Sequence, residues 1–132
     1  MIGVDTNILL RFYVADDSAQ HAAAAAFFAA RSERSPAYIS LVVLVEFVWS
    51  LRRTYGYGWD GIHALLGALT TARDIRLERQ DIVTDALSLA IEANSGLVDN
   101  IVALANKADG CTSTMTFDKA AVRHIPSMEL LS

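Results

Sequence analysis

Asp5, Glu46, Asp99 and Asp118 are the residues of this chain best placed to do chemistry. Each carboxylate stands in apolar company. Asp5 ends Met1-Ile2-Gly3-Val4, and Glu46 sits within Leu41-Val42-Val43-Leu44-Val45-Glu46-Phe47-Val48-Trp49. Asp99 opens Asp99-Asn100-Ile101-Val102-Ala103-Leu104, and Asp118 follows Thr112-Ser113-Thr114-Met115-Thr116-Phe117. A carboxylate among such neighbours lies on a solvent stripe or is held inside at a cost, usually with a partner. Acids packed together repel and raise one another's pKa unless a cation intervenes. Oxygen donors suit a hard ion: magnesium keeps several waters, so one or two direct carboxylates suffice. Such an ion polarises a phosphoryl oxygen, activates a water and orients the leaving group, and two ions would clamp the entering and leaving oxygens.

Each acid also has an ordinary explanation. Asp99 could be a helix N-cap, Asp118 a first-turn acid complementing the helix dipole, Asp5 a strand-end turn residue and Glu46 a surface residue. Four such acids would have no reason to converge, whereas a metal site requires it. The elements that must position them alternate in type. Met1 to Val4 reads as a strand, and Thr6 to Val14 as a helix with Ile8, Leu9, Phe12 and Tyr13 at helical spacing. Asp17 and Gln20 resemble a capping box opening an alanine-rich helix to about Arg31. Ala37 to Ser40 is a buried strand, and Ser40 caps a helix to about Arg53. The Tyr55-Gly56-Tyr57-Gly58 loop leads into a helix marked by Trp59, Ile62, Leu65, Leu66 and Leu69. Asp74 to Glu78 is a weak strand, Ile82 to Ala93 a helix broken by Asn94-Ser95-Gly96, and Asp99 to Lys107 a further helix. Cys111 to Thr116 is a strand, Asp118 to about His124 a short helix and Met128 to Leu131 a last strand.

Strands alternating with helices imply an α/β protein with a parallel sheet covered on both faces. Ligands bind such sheets beyond the carboxyl ends of the strands. Chain direction alone brings all four acids to that rim. Asp5 ends the first strand, the Glu46 helix leaves the second, the Asp99 helix starts back at the rim, and Asp118 follows the fourth strand. Glu46 lies roughly 9 Å down its helix.

Composition sets the limits. A chain of 132 residues reads as one domain, residues 1–132, able to bury roughly two-thirds of its unfolded surface. Its 53% apolar content and two prolines argue against disorder. A single cysteine, Cys111, rules out an internal disulfide and makes a reducing cytosol the simplest compartment. No secretory signal is expected, and the apolar stretches Ala22 to Ala30 and Ser35 to Val45 fall far short of the ~20 residues that span a bilayer. The net charge of −4 is unlike a strong nonspecific nucleic-acid binder, yet compatible with a metal-loaded acidic pocket acting on nucleic acid. His21, His63 and His124 are scattered, and there is no zinc cluster, phosphate-binding loop or nucleophile elbow.

Taken together, the segments Val4-Asp5-Thr6-Asn7-Ile8-Leu9-Leu10-Arg11, Ser40-Leu41-Val42-Val43-Leu44-Val45-Glu46, Val98-Asp99-Asn100-Ile101-Val102-Ala103 and Thr114-Met115-Thr116-Phe117-Asp118-Lys119 resemble PIN-domain ribonucleases, most closely the VapC-type toxins of bacterial toxin–antitoxin pairs. The resemblance implies a three-layer α/β/α fold with a parallel, roughly five-stranded sheet. It implies Mg2+- or Mn2+-dependent RNA cleavage by a metal-activated water, an antitoxin protein as partner, and a homodimer. Asp5, Glu46, Asp99 and Asp118 match the family's acidic site, with Asp5 and Asp99 as principal metal contacts and Glu46 and Asp118 serving a second ion or hydrated shell. Asn7 and Thr116 match its supporting polar positions, and Arg11 is a candidate phosphate contact. Asn100 departs from the alanine common after the third acid, and could hydrogen-bond the site or lie beside it. Trp49, Tyr55, Tyr57 and Trp59, if exposed, would form a groove for an antitoxin segment or stack on RNA bases. The alternatives are a noncatalytic protein-binding module on the same scaffold, and a phosphoacceptor signalling domain, whose acid pair, phosphoacceptor Asp and trailing Lys are not evident.

Overall fold

Every strand pairs in parallel in the computed structural model, which describes Met1–Ser132. The α/β class is as expected, and the five strands are distributed between a three-stranded sheet and a two-stranded one. The chain forms two compact units, Met1–Gln80 and Asp81–Ser132.

In the first unit, β1 (Ile2–Gly3), β2 (Ala37–Ile39) and β3 (Ile75–Leu77) lie side by side in that order. Gly3 is level with Tyr38, and Tyr38 with Arg76. The strands are joined through α1 (Thr6–Tyr13) and α2 (Ser18–Ala29), then α3 (Leu41–Arg53) and α4 (Trp59–Thr71). Helix starts follow the capping chemistry of the sequence: Asp5 Oδ1 accepts from the Ile8 amide, Asp17 Oδ1 from that of Gln20, and Ser40 Oγ from that of Val43. The capping box at Asp17 is only half formed, because the Gln20 side chain turns to Arg11 instead. The core is built from Ile39, Leu44, Phe47, Val48, Leu51, Ile62, Leu66 and Leu69, with Tyr13 against Phe47 at 5.8 Å between ring centroids. Residues 44, 47, 48 and 51 make one buried stripe of α3.

The second unit carries most of α5 (Gln80–Glu92), then α6 (Leu97–Ala108), β4 (Thr114–Thr116), α7 (Lys119–His124) and β5 (Met128–Leu130). Thr114 is level with Met128, and Ala103, Ala121, Ile125 and Met128 form a small core. Helix α6 begins at Leu97, two residues before the expected Asp99, with Gly96 as its N-cap. Asn100 holds this start in place. It is 2% exposed, and its Nδ2 donates to Ser95 Oγ at 2.6 Å and to the Gly96 carbonyl at 2.8 Å. The amide therefore anchors the first turn of α6, which presents Asp99.

Candidate active site

In the first unit, parallel register sets which residues share the carboxyl edge. Two residues beyond the Gly3–Tyr38–Arg76 level stand Asp5, Ser40 and Glu78. Asp5 has its Oδ1 in the α1 cap. Asp5, Asn7 and Arg11 all line a cavity of about 540 Å³, together with Val4, Ile8, Gln20, Ala23, Ala24 and Phe27. Methyl side chains at positions 23 and 24 leave this space open.

Glu46 is exposed on α3, on the same side as Val42, itself 69% exposed. Of the two readings its neighbours allowed, the solvent stripe is the one observed. Arg11 is heavily engaged: Nε donates to Gln20 Oε1 at 2.7 Å, and one Nη donates to Asp16 at 3.1 Å and to the Tyr55 hydroxyl at 3.3 Å. The Tyr55 bond first, then the Asp16 charge, raise its pKa against the effect of burial. These bonds make Arg11 a clamp between α1, α2 and the loop after α3.

In the second unit, Asp99 occupies the first turn of α6 and Asp118 is the N-cap of α7. Asp118 Oδ1 accepts from the amides of Ala120 (2.9 Å) and Ala121 (3.1 Å), while the Thr116 hydroxyl accepts from the Asp118 amide at 3.0 Å. Thr116 thus fixes the backbone from which Asp118 projects. The Asp118 charge reaches Asp99. Burial, and then the Asp118 charge, push the Asp99 carboxyl above its ordinary range.

Gly96 gives Asp99 its position. A methyl group added at residue 96 would stand 2.7 Å from Asp99 Oδ2, closer than real contacts allow. The backbone there, at φ −65° and ψ 127°, suits alanine equally well. Gly96→Ala should therefore act through the displaced carboxylate rather than through strain. We expect it to lower metal-supported activity by roughly tenfold to a hundredfold, the range seen when groups that orient metal ligands are lost. A titration of activity against metal concentration checks this; an unchanged midpoint would show that Asp99 tolerates displacement.

The donor set fits a hard divalent ion. Asp99 and Asp118 offer oxygen donors, a cation would relieve the burden on the Asp99 carboxylate, and two carboxylates suffice for a hydrated magnesium ion. Within neither unit do three or more His, Cys, Asp or Glu side chains gather into a metal-holding group.

A family model described as PIN domain matches residues 2–125. The chain belongs to the PIN-domain family. None of the curated proteins compared with it matches. PIN domains are typically metal-dependent nucleases, so this is a nuclease-type fold of the hydrolase kind, suited to a nucleic-acid substrate and to divalent metal ions. Its elements agree with the three-layer α/β/α arrangement of PIN domains. No helix is long and apolar enough to cross a membrane.

One acid at the carboxyl edge of this PIN domain escapes a reading of the sequence alone. Glu78 directly follows β3, at the same level as Asp5 two residues beyond β1, and its Oε1 accepts from the Leu41 amide at 2.8 Å. With Ser40, it completes the cap of the helix that carries Glu46. Its place directly after a strand was the available signal. The aromatic residues around the Gly56 turn are half-buried. Trp49 and Trp59 meet edge to face at 6.1 Å, with Arg53 over the first ring at 4.5 Å and Arg52 over the second at 5.3 Å. Tyr55 is held by Arg11 and Asp16.

Proposed function

We propose that this PIN-domain protein is a magnesium- or manganese-dependent ribonuclease, the toxin of a VapC-type toxin–antitoxin pair. The observation that carries the reading is the Asp99–Asp118 pair: burial first, and then the Asp118 charge, burden the Asp99 carboxylate, and a divalent ion would relieve it. The proposed site comprises Asp5, Glu46, Asp99 and Asp118, with Asp5 and Asp99 as principal ligands. Glu46 and Asp118 would serve a second ion or a hydrated shell. A divalent ion held there would supply a Lewis acid for the phosphoryl oxygen and acidify a water at neutral pH.

The residues around it position. Thr116 and the cap bonds of Oδ1 fix Asp118, while its Oδ2 takes no part in the cap. Asn7 shares the Asp5 cavity and would orient substrate. Arg11, with Nε and one Nη engaged by Gln20, Asp16 and Tyr55, would meet a phosphate through its other Nη, which takes no part in that clamp. An RNA substrate, a cognate antitoxin, a second copy of the chain and a cytoplasmic setting belong to the same proposal. The resemblance of the four acid-bearing segments to VapC-type toxins supports it.

Asp5→Asn tests this reading. Asparagine caps a helix as well as aspartate does, so the fold should survive with an unchanged melting temperature. Losing a metal carboxylate should cost several kcal/mol of transition-state stabilisation, roughly 10³-fold in rate. A panel of structured RNAs incubated with magnesium, then with chelator, followed by end-mapping, measures it. Wild-type cleavage by the variant would sink the site.

We also propose that the two compact units fold as one domain, which the family match across both supports. Thermal unfolding followed by tryptophan fluorescence, whose reporters Trp49 and Trp59 lie in the first unit, and by far-ultraviolet circular dichroism should then coincide. Two separated transitions would divide the chain.

A further inference from the structure

We propose that the cavity lined by α1 and α2 reads a base of the RNA strand, with Gln20 as the specificity-determining residue; this rests on the ribonuclease reading above. Asp5 and Asn7 line the cavity, so a strand whose phosphate approaches Asp5 brings a neighbouring base within reach. Its volume of about 540 Å³ lies in the range of small-ligand sites. Phe27 forms an aromatic wall, with the Arg31 guanidinium 4.7 Å from its ring centroid, and Ala23 and Ala24 leave room for a planar group. Every base has a π-face able to stack on such a wall.

The polar reader is Gln20. Its side chain forgoes the capping-box bond and accepts from Arg11 Nε at 2.7 Å. A guanidinium has only donors, so the amide must turn its oxygen to Arg11 and present its NH2 group elsewhere. Asp16 and Tyr55 hold Arg11 in turn, which fixes the amide before any ligand arrives. A fixed NH2 group can only donate. It favours bases with a carbonyl at the edge, guanine O6 or uracil O4, over adenine and cytosine, which present amino groups there.

The experiment uses the full chain in chelator, so that no RNA is cut, and measures binding of U8 and C8 oligoribonucleotides by fluorescence anisotropy. The wild type should prefer U8 by roughly tenfold, about the effect of one well-made hydrogen bond. Gln20→Leu should abolish the preference. Gln20→Glu, which still accepts from Arg11 but offers no donor, should reverse it toward C8. Gln20 is exposed, so both variants should keep the wild-type melting temperature; if the leucine variant does not fold, the glutamate variant decides. An equal ratio in the wild type, or a ratio unaltered by either substitution, overturns the proposal. So does a failure to bind either RNA, the result expected of a cavity that takes an apolar peptide segment instead. Adding magnesium separates the two readings. Base-selective binding without cleavage would uphold the pocket and refute the ribonuclease; cleavage with an unchanged base ratio would do the reverse.

Discussion

Asp99→Asn should lower magnesium-dependent RNA cleavage by roughly 10³-fold while raising the melting temperature of the metal-free protein at neutral pH. The two effects share a cause. Partial burial and the nearby Asp118 charge raise the Asp99 carboxyl above its unfolded value of about 3.9. An acid raised by folding contributes stability in its protonated form. That contribution is complete below about pH 3.9 and is lost as pH rises through the higher folded value. At neutral pH the ionised group is a burden that asparagine removes, and the variant should lose this part of the wild type's pH dependence. Magnesium should reverse the order. It would stabilise the wild type by about 2.7 kcal/mol at a hundred times its dissociation constant, with little effect on the variant. Melting curves with chelator and with magnesium, beside a cleavage assay, test all of this. A variant that melts below the wild type in chelator would show that Asp99 holds the fold together rather than holding an ion.

A matched pair of substitutions at Asp118 separates its two roles. Asp118→Asn keeps an oxygen for the Ala120 and Ala121 amides and removes the charge. It should melt like the wild type and lose roughly 10²- to 10³-fold in kcat/KM. Asp118→Ala loses the cap as well, costing about 1 kcal/mol of stability in addition to the same loss of activity. If the asparagine variant cleaved RNA at the wild-type rate, Asp118 would be a cap and nothing more.

Much of the fold was legible because caps are local chemistry. Asp17 and Ser40 bond to amides three residues on, as their positions suggested, and Asp5, read as a strand-end acid, does the same. The start of α6 was harder to read. Gly96 caps it without a side chain, and Leu97 and Val98 resemble loop apolars until the Asn100 bonds are seen. Glu46 shows how a linear run misleads. A helix distributes consecutive apolar residues around its whole circumference, so flanking valines do not bury a glutamate. The 44, 47, 48, 51 stripe was the better guide, and it leaves 42 and 46 outside. The bonds of Glu78 to Leu41 and of Gln20 to Arg11 were out of reach of the sequence, because those partners lie 37 and 9 residues away and only the fold brings them close.

The glutamate at the end of β3 gives α3 a second point of attachment. One bond to the sheet comes through the chain itself, from β2, and the other through a carboxylate on the neighbouring strand. A helix tethered at one end to two strands has little freedom to pivot there, and Tyr55, held by Arg11 and Asp16, ties down the loop at its other end. Fastened at both ends, α3 sets the height at which Glu46 stands above the sheet.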